Sequence, residues 1–456
     1  MFYELFGYLH RFSKKILGKS TGVLKYRLVS FPSEFTDFKV NKTDVGKFFN
    51  ETACQNCIVK EQTYPVENVV PLGAFQTLPD SFVRKTTYYN KGANIRDCEK
   101  LWNQFIENSK IPEGYRNCGL HYAGFIAEAD EWCLPSWIWT NAAIVRMYCA
   151  THQIEKAVNI AERLLALQQE SGGWIVRNDY DSEGAIPVLA PNDSAYIANN
   201  AMLAVYRETG NQTFLDSAKR CADWIINTAR PDGLVYVGYN VKDGYWQKKS
   251  NIVDIGFTGG LISELYLQTG DATYKSFLKR FIDRYIDLFY MPDKQGFATG
   301  LDSNDHVLGG MFGRGQAWAL EGLIPAYRVL KEERIKKCIE ETICTLLSKQ
   351  NWNGAWAYNL TRPYMGLDCK ATSIIAWDLM QWYKLLGSNN HEISTAANKA
   401  LNWCIKNTIT DGRAAGGVFS YTTEGAIVHH MYTNTAFVYA SSYALELCLI
   451  LKDYKA

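Results

Sequence analysis

The sequence predicts an all-α toroid, an (α/α)6 barrel of helical hairpins, on three observations: a repeat, a tyrosine rhythm and two alternating kinds of helix. The repeat begins near residue 130 of the 456. VYRETGNQTF at 205–214 is echoed by LYLQTGDATY at 265–274, and 265 − 205 gives an offset of 60. Tyrosines mark the ends of successive apolar segments at Tyr148, Tyr206, Tyr266, Tyr327 and Tyr383, in steps of 58, 60, 61 and 56. A period of that length holds two helices and their connections. Segments 193–206 and 254–267 carry almost no charge after their first residue, which is the pattern of a helix buried on all sides. Segments 272–290 and 332–349 pair an apolar stripe with a charged face, so they belong outside.

Inner helices start near 137, 193, 254, 314, 368 and 434, which makes six. The sixth has no outer partner after it, and segment 96–108 (RDCEKLWNQFIEN) is expected to supply one by packing beside it. Gly-aromatic segments such as SGGWIVRND, PDGLVYVGYN and NGAWAYNL lie between outer and inner helices, and they read as short strands or turns at one mouth. The chain therefore divides into an extension, 1–95, and a catalytic barrel, 96–456. The extension is outside the repeat, and VLKYRLVSF with several Pro-bounded apolar runs gives its residues 20–95 a β-containing reading.

A chain of this length buries roughly three-quarters of its unfolded surface. Its net charge of +1 and pI near 7.5 argue against a nucleic-acid partner, which would need a clearly basic face. Cys149, Cys221, Cys338 and Cys448 fall in apolar helical stretches, the usage of reduced thiols in a cytoplasmic protein. Cys54 and Cys57 form a C-x-x-C without a second pair or a spaced histidine, so nothing calls for a metal or a cofactor. The first 17 residues lack the apolar run of a secretory leader. Phe2, Phe6, Leu9, Phe12 and Ile16 instead suggest a helix docked on its own domain or in peripheral contact with a membrane. No stretch reaches the ~20 apolar residues of a membrane span. The 28 Tyr and 13 Trp serve mostly as core, and the remainder suit stacking on sugar faces.

Each inner helix opens on a polar or aromatic residue: Trp139, Asp193, Asp254, Arg314, Asp368 and Asn434. An aspartate there is a favoured N-cap by itself. In a closed ring, however, all six starts face one mouth, together with the unpaired N–H groups and partial positive charge of the helix ends. The result is a concave, aromatic-lined cup suited to an anionic ligand.

The run GRGQAWALEGLIPAYRV (313–329) resembles the Arg-Gly-Gln-x-Trp-Ala segment of the unsaturated glucuronyl hydrolases and the related unsaturated rhamnogalacturonyl hydrolases. WIWTN (137–141), NDSAYIAN (192–199), NIVDIGFTGGL (251–261) and DCKATSIIAWDLM (368–380) follow the order of those families, so the resemblance spans roughly residues 130–452. It implies a six-hairpin barrel acting on an acidic oligosaccharide that ends in a 4,5-unsaturated uronic acid. That sugar's vinyl ether is protonated at C4 and hydrated at C5. The resemblance further implies Asp254 as general acid and base, with Asp193 positioning the substrate and tuning its partner. Trp139, Asn192, Arg314, Gln316, Trp318, Asp368 and His306 would bind substrate. Asn192 stands where the family commonly has histidine. A proton donor near neutral pH needs a raised pKa, so crowding by the second carboxylate and by aromatic walls must outweigh the helix end.

Two other functions remain open from the sequence. Sugar epimerases also use (α/α) barrels and rely on paired acid–base groups, for which His429 and His430 are the available histidines. A non-catalytic glycan-binding barrel in a polysaccharide-assembly system fits the unplaced extension. Fold does not choose among these.

Overall fold

The computed structural model describes residues 92–453, except 94, 114–116, 127–130, 134–136, 178–186, 242–243, 303, 309, 362, 364–365, 388–389, 420 and 423–434. The β-containing reading of 20–95, the amphipathic N-terminus, the Cys54–Cys57 pair, His429–His430 and Asn434 lie outside the described residues.

Helix α1 (Ile95–Asn108) precedes five hairpins and a final helix. These are α2 (Thr140–Ala150) with α3 (Ile154–Leu165), then α4 (Pro191–Ile197), which runs through a π-helical stretch (Ala198–Leu203) into α5 (Ala204–Thr209), with α6 (Gln212–Asn227). Next come α7 (Val253–Thr269) with α8 (Ala272–Phe289), α9 (Gly313–Leu330) with α10 (Glu333–Lys349), and α11 (Cys369–Leu386) with α12 (His391–Lys406). Helix α13 (Val438–Asp453) comes last. The inner helices α2, α4–α5, α7, α9, α11 and α13 pack each on the next, and α13 returns to α2. Helix α1 packs on α13, so the ring closes with the outer partner that the sequence placed there.

The tyrosine rhythm is a helix-stop rhythm. Gly210, Gly270 and Lys331 each donate a backbone N–H to the carbonyl of the tyrosine four residues earlier, at 2.8, 2.8 and 3.0 Å. All three hold a left-handed φ, as does Gly387, four residues after Tyr383. This is the αL cap that satisfies the last carbonyls of a helix. A second repeated turn follows the outer helices. A Cβ on Gly354 would meet Lys399 O of α12 at 2.2 Å, and one on Gly416 would meet Leu101 O of α1 at 1.7 Å. Both residues have positive φ, so only glycine fits there. Because Gly416 meets α1 as Gly354 meets α12, α1 occupies the sixth outer position.

The final inner helix starts at Val438, four residues later than the sequence suggested. Thr435–Phe437 are extended, pairing antiparallel with Gly124–Ile126, which in turn pairs with Glu131–Cys133. The ladder takes the backbone groups that a longer helix would have used. A four-stranded antiparallel sheet, in the order 175–177, 187–189, 238–240 and 245–247, carries the chain into α4 and towards α7.

The barrel interior has two layers. Near the helix starts, Trp139, Tyr196, Phe257, Trp318 and Tyr439 contact one another ring to ring. Deeper lie four charged side chains, one on each of four inner helices: Asp378 and Glu446 buried, Arg146 and Glu321 half-buried. The described cysteines form no disulfide, and Cys98, Cys149, Cys221, Cys338, Cys369, Cys404 and Cys448 are buried. Among the described residues, no helix is long and apolar enough to cross a membrane.

Candidate active site

Five inner helices bring the same helical position to the mouth. The second residue is Asn192 in α4, Asp254 in α7, Arg314 in α9, Lys370 in α11 and Tyr439 in α13. Members of this set are linked. Asn192 Nδ2 donates to Asp254 Oδ1 at 3.1 Å, Arg314 Nη1 donates to Tyr439 Oη, and Arg314 and Lys370 repel each other electrostatically. Asp193 adjoins Asn192 in the first turn of α4.

The two aspartates differ in surroundings. Asp254 is wholly buried and its carboxyl accepts three hydrogen bonds, from Asn192 Nδ2, from Asn251 N at 2.9 Å and from Tyr285 Oη at 2.8 Å. Asp193 is partly exposed, and its carboxylate accepts no hydrogen bond from the described residues. Burial raises both acids, each to about 7. For Asp193 the charge of Asp254 adds to the rise, whereas for Asp254 the three donors and Arg230 oppose it. Donated hydrogen bonds favour the charged form. The donors around Asp254 thus favour its charged form, and Asp193 has no such donor among the described residues.

The other expected contacts divide. Trp139 and Trp318 lie in the aromatic layer, and the Arg314 guanidinium sits 4.4 Å above the Trp318 ring. Asn192 holds Asp254 and the backbone of Asp193, rather than standing open to a ligand. Gln316 is fully buried. Its amide accepts from Phe297 N at 2.7 Å and donates to Phe297 O at 2.8 Å, which clamps the strand Gly296–Phe297 to α9. Asp368 is buried as the cap of α11, accepting from Lys370 N at 3.1 Å. His306 is exposed on its hairpin and bonds Asp302. Its neighbour Asp305 ties that hairpin to Arg230 and Lys248 at 2.8 and 2.7 Å.

Lys370 and Tyr285 escaped the sequence reading. Lys370 lies two residues beyond Asp368 and 370 − 314 = 56 residues after Arg314, the same step that separates Tyr327 from Tyr383. Tyr285 comes from the outer helix α8, and nothing in its sequence surroundings distinguishes it from core tyrosines.

Fold and mouth together define an (α/α)6 barrel with a carboxyl pair on one side of its opening and two cations on the other. No family model matches the sequence, and no curated protein matches it. Solved structures do. An unsaturated glucuronyl hydrolase specific for heparin is similar at 13% identity and a TM-score of 0.62, covering 83% of this chain and 98% of its own. The unsaturated glucuronyl hydrolase of Bacillus sp. GL1, responsible for degradation of glycosaminoglycan, matches at 16% identity and TM-score 0.61, covering 78% and 95%. A family 76 glycoside hydrolase from a bovine Bacteroides thetaiotaomicron strain matches at 12% identity and TM-score 0.60, covering 79% and 78%. The chain has the six-hairpin fold of these glycosidases.

Proposed function

We propose that this chain is a glycoside hydrolase that removes a 4,5-unsaturated uronic acid from an oligosaccharide by hydrating its vinyl ether. The observation that carries the reading is the unequal carboxyl pair: Asp193 partly exposed and with no donor among the described residues, Asp254 buried under three donors, both raised to about 7. Such a pair keeps one proton at neutral pH, which suits general acid catalysis. Asp193 delivers that proton to C4, and positive charge develops at C5 and the ring oxygen. Water adds at C5 and returns a proton to Asp193. The hemiketal then opens and releases the next sugar, so no covalent glycosyl intermediate forms. The fixed charge of Asp254 keeps Asp193 protonated and stabilises the cation. Trp139 and Trp318 provide ring faces for the sugars.

The test is incubation with a panel of lyase-generated unsaturated disaccharides, following loss of the ultraviolet absorbance of the conjugated double bond. Asp193→Asn should abolish turnover, by ~10²–10⁴ in rate. Asp254→Asn should leave measurable turnover with the alkaline limb moved to lower pH, since Asp193 then ionises more easily. The opposite result, an intact limb in a feeble Asp254→Asn enzyme and an active Asp193→Asn, would return the proton to Asp254. A wild type that leaves every unsaturated disaccharide untouched would remove the hydration mechanism.

A further inference from the structure

We propose that Lys370 is the residue that recognises the substrate's carboxylate, and so sets the enzyme's preference for an acidic over a neutral terminal sugar. The inference rests on the proposed uronate-binding function for the choice of ligand, but its evidence is separate. Lys370 is 1% exposed on the second position of α11, in the same ring as Asp254 and Arg314. Its Nζ lies 3.7 Å from Asp368 Oδ1, beyond full hydrogen-bond reach, and 3.9 Å from the centre of the Phe437 ring. Among the described residues no acceptor comes closer to its ammonium than that carboxylate.

The buried ammonium has three donors, and its ion pair with Asp368 is long at 3.7 Å, so an anionic ligand would complete it. The first turn of an 18-residue helix adds unpaired N–H groups and partial positive charge to the same spot. Asp368 is already engaged as the helix cap, bonding the backbone N–H of Lys370. The next inner helix brings Arg314 to the same wall. An anion therefore fits here, and a carboxylate is the anion that a uronic acid presents. The two sides of the mouth divide the work: α4 and α7 carry the acids that act on the ring carbons, while α9 and α11 carry cations that suit the C5 substituent.

The groups facing Lys370 are Asp368 and Cys369 on its own helix, Arg314 from α9 and Tyr439 from α13, whose hydroxyl is held neutral by burial. Burial first, with Arg314 adding to it and Asp368 opposing, brings the Lys370 ammonium down to about 8. Anion binding should then weaken as pH passes through that value.

The experiment measures binding by calorimetry, with glucuronate and its methyl ester as probes, beside turnover of the unsaturated disaccharide acid and its ester. Lys370→Met should weaken the acid by about ten- to a hundredfold, the loss of one charge-assisted hydrogen bond, and leave the ester unchanged. Lys370→Arg, which keeps the charge, should recover most of the preference. In the wild type, the preference for acid over ester should decline above pH 8. A folded Lys370→Met protein that keeps the full preference overturns the assignment, as does a wild type that binds acid and ester alike. If Lys370→Met does not fold, a wild-type preference that is flat through pH 8 overturns it equally. A wild type that binds glucuronate selectively but hydrates nothing leaves Lys370 in place and removes only the hydrolase mechanism.

Discussion

Asn192 donates its side-chain amide to the carboxyl of Asp254 across 3.1 Å, joining the first turns of two neighbouring inner helices at the barrel mouth. The bond stabilises charge on the buried acid, and Asn192 also accepts from the backbone N–H of Asp193 at 2.6 Å. One residue thus ties the helix turn that carries Asp193 to the carboxyl of Asp254.

Replacing Asn192 by Ala should therefore act through the pH profile. Losing a hydrogen bond to a charged group raises the pKa of Asp254, by about one pH unit. Asp254 then carries less charge near pH 7, its push on Asp193 weakens, and the alkaline limb of the rate should move to lower pH. A pH profile of kcat/KM checks this. An unmoved limb with a uniformly lower rate would mean that Asn192 only packs.

The helices that carry Asp254 and Arg314 touch backbone to backbone. A Cβ on Gly322 would lie 2.0 Å from Ile255 O, and one on Gly256 would lie 2.3 Å from Trp318 O. Gly322→Ala should pry α7 from α9, costing about 1–3 kcal/mol as overpacking does. Activity should fall further than stability explains, because a displacement of about 1 Å in such a site can cost about a hundredfold. Thermal melts and kcat measured on the same preparation separate the two effects.

Gln316 makes a different prediction from the one its motif suggests. Gln316→Leu leaves the N–H and C=O of Phe297 buried without a partner, at about 1–3 kcal/mol each. The expected result is a lower Tm with KM for the disaccharide little changed. A raised KM at unchanged Tm would restore Gln316 to the substrate.

Much of the ring was legible because its signals are local. The αL caps require glycine or a tolerated substitute four residues after each tyrosine, and apolar helices announce that they are buried. Asp193, Asp254 and Arg314 could be read from helix starts. Exposure was not legible: the sequence does not say that Tyr285 of α8 reaches inward to cover Asp254 and leaves Asp193 open. Gln316 lay inside the most specific motif, yet the structure places it on a strand 19 residues earlier in the chain. The motif marks the turn of helix, and only coordinates show which way each side chain leaves it. Single charges inside otherwise apolar helices were a missed signal, and four of them form the deep layer of the barrel.

That layer leads to the last prediction, which concerns stability against pH. Arg146 of α2 lies between the Trp377 and Tyr443 rings, 4.3 Å from each, and bonds Glu446 at 3.1 Å and Asn200 at 2.9 Å. Glu321 of α9 accepts from Tyr443, whose hydroxyl is 2.8 Å from that of Tyr196. Asp378 of α11 is 1% exposed, and neither of its oxygens has a hydrogen-bond partner among the described residues. One arginine faces three acids. Burial raises Glu321 to about 7, Glu446 above its usual range and Asp378 well above it, with Glu321 adding to the last. A carboxyl raised on folding binds its proton more tightly in the native state, so stability is full below the unfolded value near 4 and declines as pH climbs through the folded one. Asp193 and Asp254 contribute with the same sign. Asp378→Asn isolates one member, because the amide cannot ionise. Between pH 5 and pH 8 the wild type should lose Tm faster than the variant. The gap should widen from pH 5 to pH 8, since each pH unit between the unfolded and folded pKa is worth at most about 1.4 kcal/mol. Below pH 5 the neutral carboxyl and the amide should be nearly equivalent. A difference between wild type and variant that stays constant from pH 5 to pH 8 would mean that Asp378 does not change its charge in that range.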